Sequence, residues 1–143
     1  MYHLSVGFNK ELPSHIVRGL LCVRINSILK NNSGVREEVV KNMIVLLNKN
    51  IIPWVPERGS ISASGDLVPS VYLTTLLSGD INAKAYVPNK KETVSAIEAL
   101  NIAGIKPTIF RPKEVLAIVN GSGASSSMAA DAISNSIVLV HLT

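Results

Sequence analysis

The sequence predicts a mainly α fold. Three observations carry this: apolar residues recur at three- and four-residue spacing in separate segments, acidic residues or proline mark where those segments start, and asparagine or glycine marks where they stop. With 143 residues and 47% hydrophobic content, the chain is expected to bury one core as one globular unit or part of one.

The first helix is predicted over 14–30, where Val17, Leu20, Leu21, Ile25, Ile28 and Leu29 describe one apolar face. Asn31-Asn32-Ser33-Gly34 stops it. A second helix carries Glu37 and Glu38 in its first turn, where negative charge suits the helix dipole, and turns Val39, Val40, Met43, Ile44, Leu46 and Leu47 inward. It is expected to end at Asn48-Lys49-Asn50. Pro53 and Pro56 keep 51–59 out of helix and lead into small residues at 59–65. Asp66 is the expected N-cap of a helix over 67–77, with Pro69 in its first turn and apolar residues all round, which implies burial. An irregular stretch runs to Lys91, followed by a helix over 93–103 closed by Gly104. Pro107 and Pro112 bracket a connector. A short helix bearing Glu114, Leu116, Ala117 and Val119 is interrupted by Asn120-Gly121-Ser122-Gly123, and 124–143 reads as helix again.

Composition narrows the function classes. The net charge of +4 is scattered, with only Lys90-Lys91 adjacent, and 4% aromatic content gives bases little to stack on, so nucleic acid is not an expected partner. The aliphatic runs Val115-Leu116-Ala117-Ile118-Val119 and Ile137-Val138-Leu139-Val140 are far shorter than a membrane span, and the first residues lack a signal peptide's pattern; the expectation is a cytoplasmic protein with no membrane partner. Cys22, alone in Leu20-Leu21-Cys22-Val23, reads as buried filler. His15 and His141 have no companions at ligand spacing, so no metal is expected.

The informative segment is Gly59-Ser60-Ile61-Ser62-Ala63-Ser64-Gly65-Asp66-Leu67. Small residues before an Asp-capped helix also describe any flexible loop. Here they stand with Arg24-Ile25-Asn26-Ser27, Ser33-Gly34-Val35-Arg36, Pro53 and Pro56, and Lys113-Glu114 leading to Leu116-Ala117 and Val119-Asn120-Gly121. Taken in that order, these landmarks resemble the histidine, phenylalanine and tyrosine ammonia-lyase family and its aminomutases.

The resemblance implies that Ala63-Ser64-Gly65 cyclises into a methylidene-imidazolone, with no imported cofactor. The Gly65 amide nitrogen attacks the Ala63 carbonyl, a contorted closure that a side chain on residue 65 would obstruct. Ser64 then loses its hydroxyl to give the exocyclic methylene, and a second water leaves from the former carbonyl. Asp66 takes a supporting role in that turn. Asn120 is expected beside the prosthetic group and substrate, a neutral amide suited to an oxyanion-like partner; a plain Asn-Gly turn would explain it without chemistry. Gly121-Ser122-Gly123 departs from the family's commoner Gly-Thr. His3-Leu4 matches the position that senses the substrate ring, and an imidazole there suits a phenolic hydroxyl; a frayed terminal histidine reads equally well.

The same resemblance implies an elongated helical bundle of the ammonia-lyase and fumarase-like superfamily. It implies non-oxidative deamination of tyrosine or phenylalanine to an arylacrylate and ammonia, in a homotetramer. A 2,3-aminomutase forming a β-amino acid is the alternative within that chemistry, and an inactive truncated helical module is the alternative outside it. Residues 1–143 correspond to an early-middle segment of a family chain, so the lid loop with its tyrosine base and the downstream long helices are expected to be absent, and the isolated chain is expected to be inactive.

Overall fold

A computed structural model describes residues 5–60 and 65–142. Among them, six helices dominate and five short strands fill the gaps. In chain order they are β1 (Phe8–Glu11), α1 (Ser14–Leu29), α2 (Glu37–Asn48), β2 (Ile52–Pro53), β3 (Pro56–Arg58), α3 (Leu67–Ser78), β4 (Lys84–Tyr86), β5 (Val94–Ser95), α4 (Ala96–Ala103), α5 (Glu114–Val119) and α6 (Gly123–Leu142).

Helix α1 buries Ile16, Val17, Leu20, Leu21, Arg24, Ile25 and Ile28, the predicted stripe with one charged residue in the same phase; Leu29, expected on that face, is exposed at the helix end. Cys22 corrects the sequence-based expectation: it is exposed. One residue step rotates a helix by about 100°, so the position after fully buried Leu21 swings away from the core. Helix α2 buries Val39, Val40, Met43 and Leu46 on one side.

Helix α3 is buried all round, including Ser70, Thr74 and Thr75; Thr74 Oγ1 donates to Val71 O at 2.8 Å and Thr75 Oγ1 to Tyr72 O at 3.0 Å, whereas the Ser70 hydroxyl is buried without a partner among the described residues. It lies among α4, α5, α6 and β2, while α1 packs on α2 and α6. The shared core joins Leu20, Leu21, Met43, Leu46, Leu73, Leu76, Leu77, Leu100 and Ile118.

The strands were not predicted. β1 pairs antiparallel with β3, and β2-β4-β5 form a three-stranded antiparallel sheet in which Ile52 faces Tyr86 and Ala85 faces Val94. Pro53 occupies an edge strand, where its missing amide donor is tolerated. Helix α4 starts later than the expected 93, because Val94 and Ser95 join the sheet and the Ser95 hydroxyl accepts the Glu98 amide at 3.3 Å as N-cap.

Helix α6 is buried at its start. Gly123, Ala124 and Ser127 are buried, and Ser127 Oγ donates to Ile16 O of α1 at 2.8 Å. Further along, Ile133, Ile137, Val138, Leu139, Val140 and Leu142 are exposed. No described helix is long and apolar enough to cross a membrane, and the described residues hold no cluster of three or more His, Cys, Asp or Glu that could bind a metal ion.

Candidate active site

Of the residues singled out from sequence, Ala63, Ser64, His3 and Leu4 lie outside the described residues. Gly65, Asp66 and Asn120 are described, and they lie together. Gly65 has φ +94°, a conformation that residues with a Cβ rarely adopt. A Cβ built on it would stand 3.0 Å from Gly121 N, 3.1 Å from Gly121 O and 3.1 Å from Asn120 Oδ1. Position 65 therefore disfavours a side chain twice, by its dihedral and by its neighbours. Asp66 follows with φ −83° and ψ 67°, and the Leu67 amide donates to Gly65 O at 3.0 Å, which makes an inverse γ-turn. The Asp66 amide donates to Gly121 O at 2.8 Å, tying this turn to the Asn120-Gly121 segment.

The Asp66 carboxylate does not cap α3, contrary to the sequence-based expectation; it makes no capping bond there. Its geometry explains why: with the backbone in a γ-turn, the side chain points away from the α3 amides and toward a different helix. Oδ2 accepts the amide of Ser125, in the first turn of α6, at 2.8 Å, and Oδ1 accepts the Ser60 hydroxyl at 3.2 Å. Asp66 is 6% exposed, so these are its partners in place of water. It supplies an N-terminal acceptor and a negative charge to α6, a helix far along the chain. Through Ser60 it also joins the two sides of the triplet.

Asn120 is exposed and ends α5, a helix of six residues held at both ends by arginine. At the start, Glu114 is 4% exposed and its carboxylate accepts Arg36 Nε at 2.7 Å, Arg36 Nη2 at 2.8 Å and the Arg111 amide at 2.6 Å. Near the end, Arg24 Nη2 donates to Ala117 O at 2.5 Å. Asn120, Leu116, Ala117, Ser33 and Gly34 line a hollow of about 320 Å³. A larger cavity, about 760 Å³, lies elsewhere, bounded by Lys10, Arg18, Glu57, Tyr86 and Lys90, and includes none of the predicted site residues.

The forked hydrogen bonds from Arg36, joined by the Arg111 amide, hold the Glu114 carboxyl at about 2, against an ordinary 4.5, despite its burial. A carboxylate whose pKa is depressed on folding contributes stability that is complete above its unfolded value and is lost as pH falls through its folded one. Glu114→Gln should therefore lower stability by about 1–2 kcal/mol at neutral pH, discounted because Arg36 is partly exposed. The gap between wild type and variant should close between pH 4.5 and about 2. Urea unfolding across that range measures it; a gap independent of pH would contradict the assignment.

Sequence reasoning passed over Arg24, Arg36 and Glu114 as working residues, although all three lie in landmark segments. One signal was available: Arg24 sits seven residues after Val17 and four after Leu20, a charged residue in the core phase of α1. Nothing local marked Ser125 or Gly121 as partners of Asp66.

The chain is similar to known proteins along its length. A family model described as aromatic amino acid lyase matches residues 1–143. Phenylalanine ammonia-lyase of Rhodotorula mucilaginosa is 40% identical over 138 residues, covering 96% of this chain and 19% of that protein. Histidine ammonia-lyase of Vibrio parahaemolyticus is 37% identical over 129 residues, 90% of this chain and 24% of that protein. The crystal structure of phenylalanine ammonia-lyase from the yeast Rhodosporidium toruloides superposes with a TM-score of 0.85 at 35% identity, over 90% of this chain and 22% of that one. The chain thus spans about a fifth to a quarter of the length of the relatives it matches.

Proposed function

Because the chain belongs to the aromatic amino acid lyase family, we propose that the protein is a carbon-nitrogen lyase that deaminates an aromatic L-amino acid, tyrosine or phenylalanine, to an arylacrylate and ammonia. We assign Ala63-Ser64-Gly65 as the source of its methylidene-imidazolone. One observation carries this assignment: the backbone at Gly65, at φ +94° and pressed against Gly121 and Asn120, favours a residue without a Cβ. Cyclisation through the residue-65 amide has that same requirement. The residues present thus fit the group. When formed, it supplies an electron-poor alkene, the electrophile this reaction needs.

The chain's own side chains have definite tasks in this reading. Asp66 holds the turn after Gly65 through Ser60 and Ser125, which limits the freedom of the segment that must close on itself. Asn120 brings a carboxamide to within contact of Gly65 and leaves it exposed, where it can donate to an oxygen that gains negative charge. The positive end of α3, starting at Leu67, lies beside the same turn and favours electron withdrawal there.

The test is a mass spectrum of the tryptic peptide 59–84, from protein purified as the cell makes it, with a product assay on tyrosine and phenylalanine. A peptide lighter by two waters and a product absorbing in the near ultraviolet support the lyase. The same peptide with a β-amino acid product makes the protein an aminomutase. An unmodified peptide without turnover overturns both and leaves a helical module without catalysis.

A further inference from the structure

Arg24 is a charged residue in an inward position. It is 5% exposed, it lies on the apolar face of α1, and its Nε is buried without a hydrogen-bond partner. Among the described residues no carboxylate pairs with it. Packing alone would be served better by an apolar side chain of similar size, since an unpaired buried charge is costly. What it touches is specific. Nη2 takes Ala117 O, a carbonyl in the last turn of α5 that has no partner within so short a helix, at the end where a cation suits the dipole. Its guanidinium also lies against the Cα of Gly121: a Cβ built there would collide with Nη1 and stand 3.0 Å from Cζ. Gly121 is not among the residues at positive φ, so its backbone would accept a side chain. A side chain there would have to displace the Arg24 guanidinium.

Gly121 in turn touches the predicted chemistry. Its carbonyl accepts the Asp66 amide, and its N and O face the place where a Cβ of Gly65 would be. The contacts run unbroken from Arg24 through Gly121 to Gly65 and Asp66.

We propose that Arg24 is a positioning residue: its guanidinium, gripping Ala117 O and braced against Gly121, sets the Asn120-Gly121 segment at the distance from Gly65 that cyclisation requires. The link to cyclisation rests on the lyase reading above; the positioning of Gly121 does not. The variants are Arg24→Met, Arg24→Lys, Gly121→Ala and the double variant Arg24→Ala with Gly121→Ala, made in the protein as the cell makes it. Two quantities are read: hydrogen exchange of the Asp66 amide relative to amides of α4, and the fraction of peptide 59–84 that is two waters lighter.

Arg24→Met should speed exchange at Asp66 about tenfold, the scale of one weakened hydrogen bond, with α4 unchanged, and should lower the cyclised fraction. Arg24→Lys, which keeps a donor for Ala117 O, should fall nearer wild type. Gly121→Ala should loosen Asp66 as well, and the double variant, with space for the new methyl, should loosen it less than Gly121→Ala alone. Unchanged exchange at Asp66 in Arg24→Met overturns the proposal. If that variant does not fold, wild-type exchange in Gly121→Ala overturns it instead. A wild-type peptide without the mass deficit defeats the lyase reading, while the exchange comparison still decides the role of Arg24.

Discussion

Replacing Gly65 by alanine is expected to leave peptide 59–84 at its full encoded mass and to lower kcat/KM for the aromatic substrate by at least about a thousandfold, the equivalent of about 4 kcal/mol. Two costs combine. At φ +94° a side chain adds backbone strain of order 1–3 kcal/mol. The methyl would also meet Gly121 N, Gly121 O and Asn120 Oδ1 at 3.0 to 3.1 Å, and the first two are backbone atoms fixed by the Asp66 amide and by Arg24. The segment would relieve this by moving residue 65 away from Gly121, which displaces the nitrogen that must close the ring. Gly34 provides the control. It too has positive φ, +65°, but a Cβ there meets nothing within 4 Å. Gly34→Ala should carry the dihedral cost alone and leave the mass deficit intact. Equal cyclisation in wild type and Gly65→Ala would refute the assignment of the triplet.

The parts of the fold that could be read from sequence are those where one period persists for three turns or more. Helices α1 and α2 show it, and α3, with apolar residues all round, was correctly read as buried. Gly104 and Asn120-Gly121 marked ends where they fall. The strands have two to four residues, too few for an alternating pattern to register, and their pairing joins 52 to 86 across β3 and α3 and 85 to 94 across irregular chain. Cys22 was misplaced because an apolar run does not by itself give helical phase.

The candidate site divides the same way. Glycine at 65 and the Asp and Asn near it were visible as a motif, through resemblance to a family. The use made of Asp66 was not. A capping signal in sequence is local, whereas the amide this carboxylate takes lies 59 residues further on. Arg24 reaches across 93 residues to Ala117, and Arg36 across 78 to Glu114. Long-range polar contacts of this kind leave only an anomaly in the pattern, a charge on an apolar face, and no indication of the partner.

The long reach of Asp66 gives the second large effect. Asp66→Ala removes a carboxylate that is 6% exposed and satisfies both the Ser125 amide and the Ser60 hydroxyl. Leaving the Ser125 amide without its acceptor and α6 without negative charge at its start should cost about 2–3 kcal/mol in urea unfolding. The cyclised fraction should fall as well, because Ser60 is no longer joined to the far side of the triplet. Asp66→Asn separates the two consequences. Its amide oxygen can still accept from Ser125, and the Ser60 hydroxyl can rotate to accept from the new NH2, so most of the stability should return. What the asparagine lacks is charge. A variant that is nearly as stable as wild type but cyclises slowly would give the carboxylate a part in the chemistry of the turn, while recovery of both stability and cyclisation would reduce Asp66 to the clasp between residue 60 and α6.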